Sequence, residues 1–315
     1  MIYGGAVTAS DTVAGTNSTS VPTAWPRPRL VVSACLELES CRYDGQRIRA
    51  RFVHRLLEHA DLIPVLQPVN DLDVTDRMPA FADSFLMGIG AVDGFLLKSR
   101  SPSRVPRGVK AYGEGGGPRS EKHPGLFAAA AAARYPSLPL EDEGRLTNYQ
   151  LRSHFLTRLF LTARLRELPE TMAAIVGFHA ANKLLLLACS EIDARSLGRI
   201  VANPTKDPPG VVKRRYHRAY AAAIAHHPRP GPIVNAMMHA FGHLSTDLLP
   251  AERSVFLEVV EGYRLRRLPL EAPMALIRGW NARQRRAWLE EQTLLRPYPD
   301  ALHDLADSAG DGRAT

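Results

Sequence analysis

Residues Arg29-Leu-Val-Val-Ser-Ala-Cys-Leu-Glu-Leu-Glu-Ser-Cys-Arg-Tyr-Asp-Gly45 decide the fold. The short apolar run Leu30-Val-Val32 reads as a buried strand. It opens into a loop that carries Cys35 and Cys41 and closes on the turn-forming pair Asp44-Gly45. A strand that feeds a loop containing Ser, Cys, Arg, Tyr and Asp is a natural place for chemistry, because the strand holds the loop rigidly.

Working outward, residues 47–60 place Ile48, Phe52, Val53, Leu56 and Leu57 at helical spacing. Residues 61–66 and 93–98 read as a second and a third strand. Strand, loop and helix in alternation predict an α/β N-terminal domain with a parallel, Rossmann-like sheet, whose carboxyl edge gathers the loops after all three strands. The Gly-, Pro- and Lys/Arg-rich stretch 105–125 lacks the glycine spacing of a dinucleotide fingerprint or a phosphate loop, and is expected to be a flexible loop. An alanine-rich helix over 126–134, Pro136–Pro139 and a bridge at Glu141–Arg145 would close this domain. From residue 147 the pattern turns to helices, with long ones at 149–167 and 170–190 and later ones punctuated by Pro204, Pro208-Pro209, Pro228, Pro230, Pro250 and Pro269. The expected organisation is a disordered tail (1–27), an α/β domain (28–142), an all-α domain (143–300) and a flexible tail (301–315).

At 315 residues the chain suits two cores, and a hydrophobic share of 45% can fill them. The net charge of +8 suits a polyanionic partner such as RNA, without requiring one. Three cysteines, Cys35, Cys41 and Cys189, argue against a secreted disulfide framework and for a reducing compartment, with the cytoplasm as the default address. No apolar run is long enough to cross a bilayer, so no membrane partner is expected, and nothing in the sequence points to DNA.

The motifs Ser33-Ala-Cys35 and Cys41-Arg-Tyr-Asp-Gly45, with Pro64-Val65 and Leu97-Lys-Ser99 followed by Ser101-Pro-Ser103, resemble the TudS/RudS-type thiouracil desulfidase family. Gly125-Leu-Phe-Ala128, Glu143-Gly-Arg-Leu146, Phe178-His-Ala-Ala-Asn-Lys183 and Glu261-Gly-Tyr-Arg264 are similar to a fusion of that domain with a YbgA-type helical domain. The resemblance spans roughly residues 29 to 300. It implies removal of sulfur from 4-thiouridine in tRNA, with the helical domain holding the RNA. In the family three cysteines bind a 4Fe-4S cluster and leave one iron open for the sulfur of the substrate. Carried onto this chain, those ligand positions fall on Cys35, Leu66 and Arg104, and Pro68 stands where a glutamate is expected. Leucine offers iron no lone pair, and a guanidinium stays protonated. No cofactor is therefore expected, and Cys35 is a surviving ligand position only. The resemblance leaves Asp44 and Ser101 as candidate catalytic groups and Arg42, Tyr43, Lys98 and Ser103 as a pocket wall.

In the helical domain His179 and Lys183 stand at i and i+4, which on one helix puts them on one face; an RNA-facing pair and a solvated or buried polar pair both fit. Lys213-Arg-Arg215, with Tyr216 beside it, is the densest basic run, and reads either as phosphate contacts or as a solvated face. His239 and His243 have metal-ligand spacing but lack the glutamate and third ligand of a zinc site, so polar positions on an apolar helix are the plainer reading. Three functions stand side by side: a cluster-less relative that binds tRNA or a thiolated base, an active desulfidase with a modified iron–sulfur site, and a non-enzymatic scaffold or regulatory protein.

Overall fold

A computed structural model describes residues 25–38, 51–66, 77–99, 101, 104–107, 109–112 and 118–303. Cys41, Arg42, Tyr43, Asp44 and Ser103 lie outside the described residues. The N-terminal half is a parallel sheet of β1 (Arg29–Ser33), β2 (Asp61–Val65), β3 (Gly94–Leu97) and β6 (Leu140–Asp142) in the order β2-β1-β3-β6. β1 and β3 are central, so their residues alternate between two buried faces and read as continuous apolar runs. Leu30, Val32 and Leu96 face α1 (Arg51–Leu57), while Val31, Phe95 and Leu97 face α2 (Met78–Gly88) and α3 (Leu126–Arg134). β2 is an edge strand, and Pro64, which has no N–H to give, is tolerated there.

Two details differ from the sequence expectation. The stretch 105–125, read as a flexible loop, contains an antiparallel pair, β4 (Val109–Tyr112) and β5 (Pro118–His123). Its Gly- and Lys-rich composition hides the strands from any period-2 reading. The expected bridge at 141–145 instead begins as β6, whose three residues pair with β3 and are too few to show alternation.

The remainder is helical, from α4 (Tyr149–Glu167) through α5 (Met172–Ala181), α6 (Lys183–Cys189), α7 (Glu191–Ala202), α8 (Pro209–Ala223), α9 (Pro230–Gly242), α10 (Pro250–Arg264), α11 (Glu271–Gln284) and α12 (Ala287–Glu290). The prolines that punctuate the sequence start α8, α9 and α10, where a missing N–H costs nothing and the fixed φ suits the first turn. Side-chain caps start others: Asn148 accepts from Leu151 N–H, Thr171 from Ala174 N–H and Ser190 from Asp193 N–H.

α4 belongs to both halves. Phe155, Leu156, Leu159 and Phe160 cover the α1 face of the sheet, whereas Leu161 and Leu165 enter the helical core. The turn before β3 is shaped by this packing: a Cβ on Gly94 would stand 2.9 Å from Leu159 and 3.1 Å from the Pro139 carbonyl. Trp25 and Arg27 fall within the stretch expected to be a tail. Trp25 meets Phe160 edge-on at 5.7 Å, and Arg27 bonds Asp61 and the carbonyls that end α1. At the other end Leu302 is buried and His303 stacks on Tyr298.

The expected helix over 170–190 is broken at Asn182, where α5 and α6 meet at 58°. Among the described residues no single helix is long and apolar enough to cross a membrane, and this bent pair sits largely in the helical core.

Candidate functional site

The switch point of the sheet lies between β1 and β3, whose connections leave in opposite directions. Three loops meet at that carboxyl edge and are tied together by their backbones. Lys98 N–H donates to Ser33 Oγ at 3.0 Å, and Ala34 N–H donates to the Val65 carbonyl at 3.1 Å. Cys35 is buried just beyond β1, Leu66 is 43% exposed beyond β2, and Arg104 is 5% exposed in the loop after β3. The fold thus brings the three positions that the motifs single out to one edge.

β6 brings a fourth group. Glu143, one residue past the strand, accepts the Ser99 N–H at 2.7 Å, the Ser99 hydroxyl at 2.6 Å and the Lys98 ammonium. Lys98 gives its other protons to the carbonyl and hydroxyl of Ser99, each at 2.9 Å. The ion pair is mostly shielded, so it is stronger than an exposed one, and every donor of Lys98 is used. This clasp joins the ends of β3 and β6. In the loop that follows Ser101 turns the chain, its carbonyl accepting from Val105 N–H at 3.1 Å. Next to the clasp, burial raises the Asp142 carboxyl above its ordinary value, opposed by the Arg145 N–H that donates to it at 2.9 Å. Ser99 and Glu143 carry no role in the sequence reading; the signal was the match at Glu143-Gly-Arg-Leu146, whose acidic residue could have been assigned to the sheet edge had β6 been legible.

The chemistry of the donor set does not fit a three-thiolate cluster. One of three positions is a thiol, one is a hydrocarbon and one is a cation. Cys189 cannot stand in, since it packs against the helical core and burial pushes its thiol up to about 12.

The basic candidates lie elsewhere. α4 starts beside Glu143 and its 19 residues run about 28 Å back across the sheet. Its far end meets Asp93, ahead of β3, through Arg166 at 3.0 Å. Lys213 donates to the carbonyls of Leu168 and Arg166, which end α4. The run 213–215 is therefore at the amino end of the sheet, opposite the loops. Within it Lys213 caps α4 and Arg215 pairs with Asp207 at 2.9 Å, while Arg214 is exposed. The bend at Asn182 puts His179 on α5 and Lys183 on α6, where the sequence reads one helix. His179 ends α5 with Nδ1 3.2 Å from the Tyr216 hydroxyl, and burial, then the Lys183 charge, lower its pKa; Lys183 opens α6 and is exposed. His239 is exposed on α9, and His243 follows that helix, 4.5 Å from the Trp288 ring. Among the described residues no three His, Cys, Asp or Glu side chains are grouped as a metal site.

Fold and site define a class: a parallel α/β layer with a polar clasp at its switch point, joined by a shared helix to an all-α unit. Residues 183–299 match the model of a family described as "Protein of unknown function (DUF1722)". The chain is 27% identical over 152 residues to "Uncharacterized protein YbgA" of Escherichia coli (strain K12), covering 47% of this chain and 90% of that protein. The helical half is thus YbgA-like. No solved structure matches the chain.

Proposed function

We propose that the protein is a cluster-less relative of the tRNA thiouridine desulfidases, which binds tRNA or a thiolated nucleobase without transferring its sulfur to iron. The observation that carries this reading is the carboxyl edge itself. The residues that the resemblance matches to the three ligand positions are Cys35, Leu66 and Arg104, only one of them a thiol, while Lys98 and Ser99 bond Glu143 beside β3. Neither the Leu66 side chain nor the Arg104 guanidinium offers iron a lone pair. Support for an RNA partner is the net charge of +8 and the YbgA-like helical half, which the family resemblance associates with RNA.

Two measurements test the reading on the full chain. After anaerobic incubation with iron and sulfide the desalted protein is expected to be colourless and iron-free; a brown protein with iron–sulfur absorption would overturn it. Binding of 4-thiouridine-containing tRNA, followed by anisotropy, is expected to weaken steeply with salt, since phosphate contacts release counterions. Affinity no greater than that of an unrelated protein of equal charge favours the scaffold reading instead. Loss of thiouridine absorbance during the incubation would favour an active enzyme with a modified site.

A further inference from the structure

A cleft crosses the helical half away from the sheet edge, between the start of α4, the start of α9 and the turn joining α10 to α11, and Tyr263 of the Glu261–Arg264 motif lines it. It has an inner throat of about 140 Å³ and a wider outer mouth of about 480 Å³. Gln150, His227, Pro228, Tyr263, Pro269 and Leu270 line both parts, so the two are continuous. The throat floor is apolar, made by Leu185, Ile224, Ile233, Met274, Leu294 and Leu295.

Tyr149, His227 and Tyr263, with Pro228 and Pro269, are among its lining residues, and aromatic side chains suit a planar ring. Yet the throat is not purely greasy, because Gln150, Ser153 and Thr157 reach it. Gln150 is exposed and its amide makes no bond among the described residues. Ser153 accepts the Tyr298 hydroxyl at 3.0 Å and retains a proton to give; Thr157 spends its proton on the Ser153 carbonyl and retains lone pairs. Such groups call for a ligand whose edge both donates and accepts, which an alkyl chain lacks. His154 adds no charge, since burial, then Arg158 and His227, lower its pKa to about 4.

The mouth is cationic. Arg229, Arg266 and Arg267 line it, with no carboxylate among the mouth's lining residues; in the throat Glu271 is paired with Arg278. Arg229 and Arg266 form no ion pair among the described residues, whereas Arg267 lies in the field of Glu261. The 13-residue α9 starts at this mouth with its positive end, but Pro230 and Pro232 leave Gly231 as the one N–H among its first three residues, so the arginines carry the anion contact.

We infer that this cleft binds a phosphorylated planar heterocycle, that is a nucleotide, with its ring in the throat beside Gln150 and its phosphate on Arg229 and Arg266. The inference is independent of the desulfidase-like reading, since no residue of the sheet edge takes part. Two sources share the chemistry, a free mononucleotide and the phosphorylated end of an RNA strand.

Calorimetry on the full chain with uridine and adenosine 5′-monophosphates, the parent nucleosides and inorganic phosphate tests it. Saturable binding is expected for at least one monophosphate, with its nucleoside and phosphate each at least about tenfold weaker, as loss of a charged hydrogen-bonded group predicts. Arg266→Glu should weaken binding by about tenfold or more and Gln150→Trp should block the throat. Both sites are exposed, so the variants should melt like the parent. A short oligonucleotide that competes only when its 5′ end is phosphorylated identifies the strand end as ligand; failure to compete identifies the free nucleotide. Absence of binding by either monophosphate, or binding unchanged in both variants, would overturn the inference.

Discussion

Asp93 is the most consequential single carboxylate in the fold. Wholly buried ahead of β3, it accepts the Arg29 N–H at 2.8 Å and both arms of Arg166, and so joins the starts of β1 and β3 to the end of α4. Asp93→Ala leaves the buried Arg29 N–H without its acceptor and Arg166 with only Glu167 and the Arg27 carbonyl, which should cost about 3 kcal/mol in urea unfolding. A loss below about 1 kcal/mol would mean that water replaces the carboxylate. A second residue governs pH dependence. His154 bonds the Ile224 carbonyl at 3.1 Å, and burial holds its pKa at about 4 against 6.5 for the free ring. Between those values the unfolded chain takes up a proton that the folded chain refuses. Stability is therefore complete above pH 6.5 and falls as pH drops toward 4, by up to about 3 kcal/mol from this residue. His179 and His217, also lowered by burial, act with the same sign. His154→Gln, which can still bond Ile224, should flatten the slope of unfolding free energy over that range; an unchanged slope would refute the assignment.

Between α5 and α6, a polar knot replaces the continuous helix that the sequence suggests. Asn182 is wholly buried, donates to the Phe178 carbonyl at 2.8 Å, and accepts from Tyr220 at 2.7 Å and Thr293 at 2.8 Å. Gln292 completes it by accepting the Leu184 N–H and donating to the Ala180 carbonyl. These bonds satisfy groups that the bend exposes, and they fasten the segment after α12 to the core. Asn182→Ala would strand the Tyr220 hydroxyl, leave Thr293 with the Ala181 carbonyl alone, and should cost about 2–3 kcal/mol in chemical denaturation. Stability within about 0.5 kcal/mol of the parent would show that the knot is dispensable. The same element shows where sequence reading succeeds. α4 and α3 are legible from spacing and alanine content, and β1 to β3 from apolar runs bounded by turn residues. The break at Asn182 is not, because its cause lies in Gln292 and Thr293, more than a hundred residues away. β6 escapes for a like reason: three residues acquire strand character only by pairing with β3. Of the groups at the sheet edge, Cys35, Lys98, Ser101 and Glu143 all stand in quoted motifs, but the bonds of Glu143 to Lys98 and Ser99 come from the fold. His179 and Lys183 fall on two helices, α5 and α6, where the sequence reads one, and the Lys183 charge still acts on His179.

At the scale of the whole molecule, α4 decides how the two halves behave. One stretch of it covers the sheet with Phe155, Leu156, Leu159 and Phe160, another enters the helical core with Leu161 and Leu165, and its end is held by Asp93 and Lys213. A linker between independent domains would bury little; here the chain would have to expose four large apolar side chains to part the halves, each worth about 1.5–3 kcal/mol of burial. The halves should therefore unfold together, despite the compositional change near residue 147. The tryptophans make this measurable. Trp25 sits against Phe160 with the Arg164 guanidinium 3.7 Å from its ring centre, whereas Trp280 and Trp288 pack on the helical core. In guanidinium titrations, fluorescence from Trp25 alone (in a Trp280→Phe, Trp288→Phe background), fluorescence of the parent and far-ultraviolet dichroism should give coincident midpoints once the stability offset of the substitutions is subtracted. Two separated transitions, with Trp25 released before helicity is lost, would show that α4 leaves the sheet while the helical half stays folded, and that the sheet edge and the cleft work as separate modules.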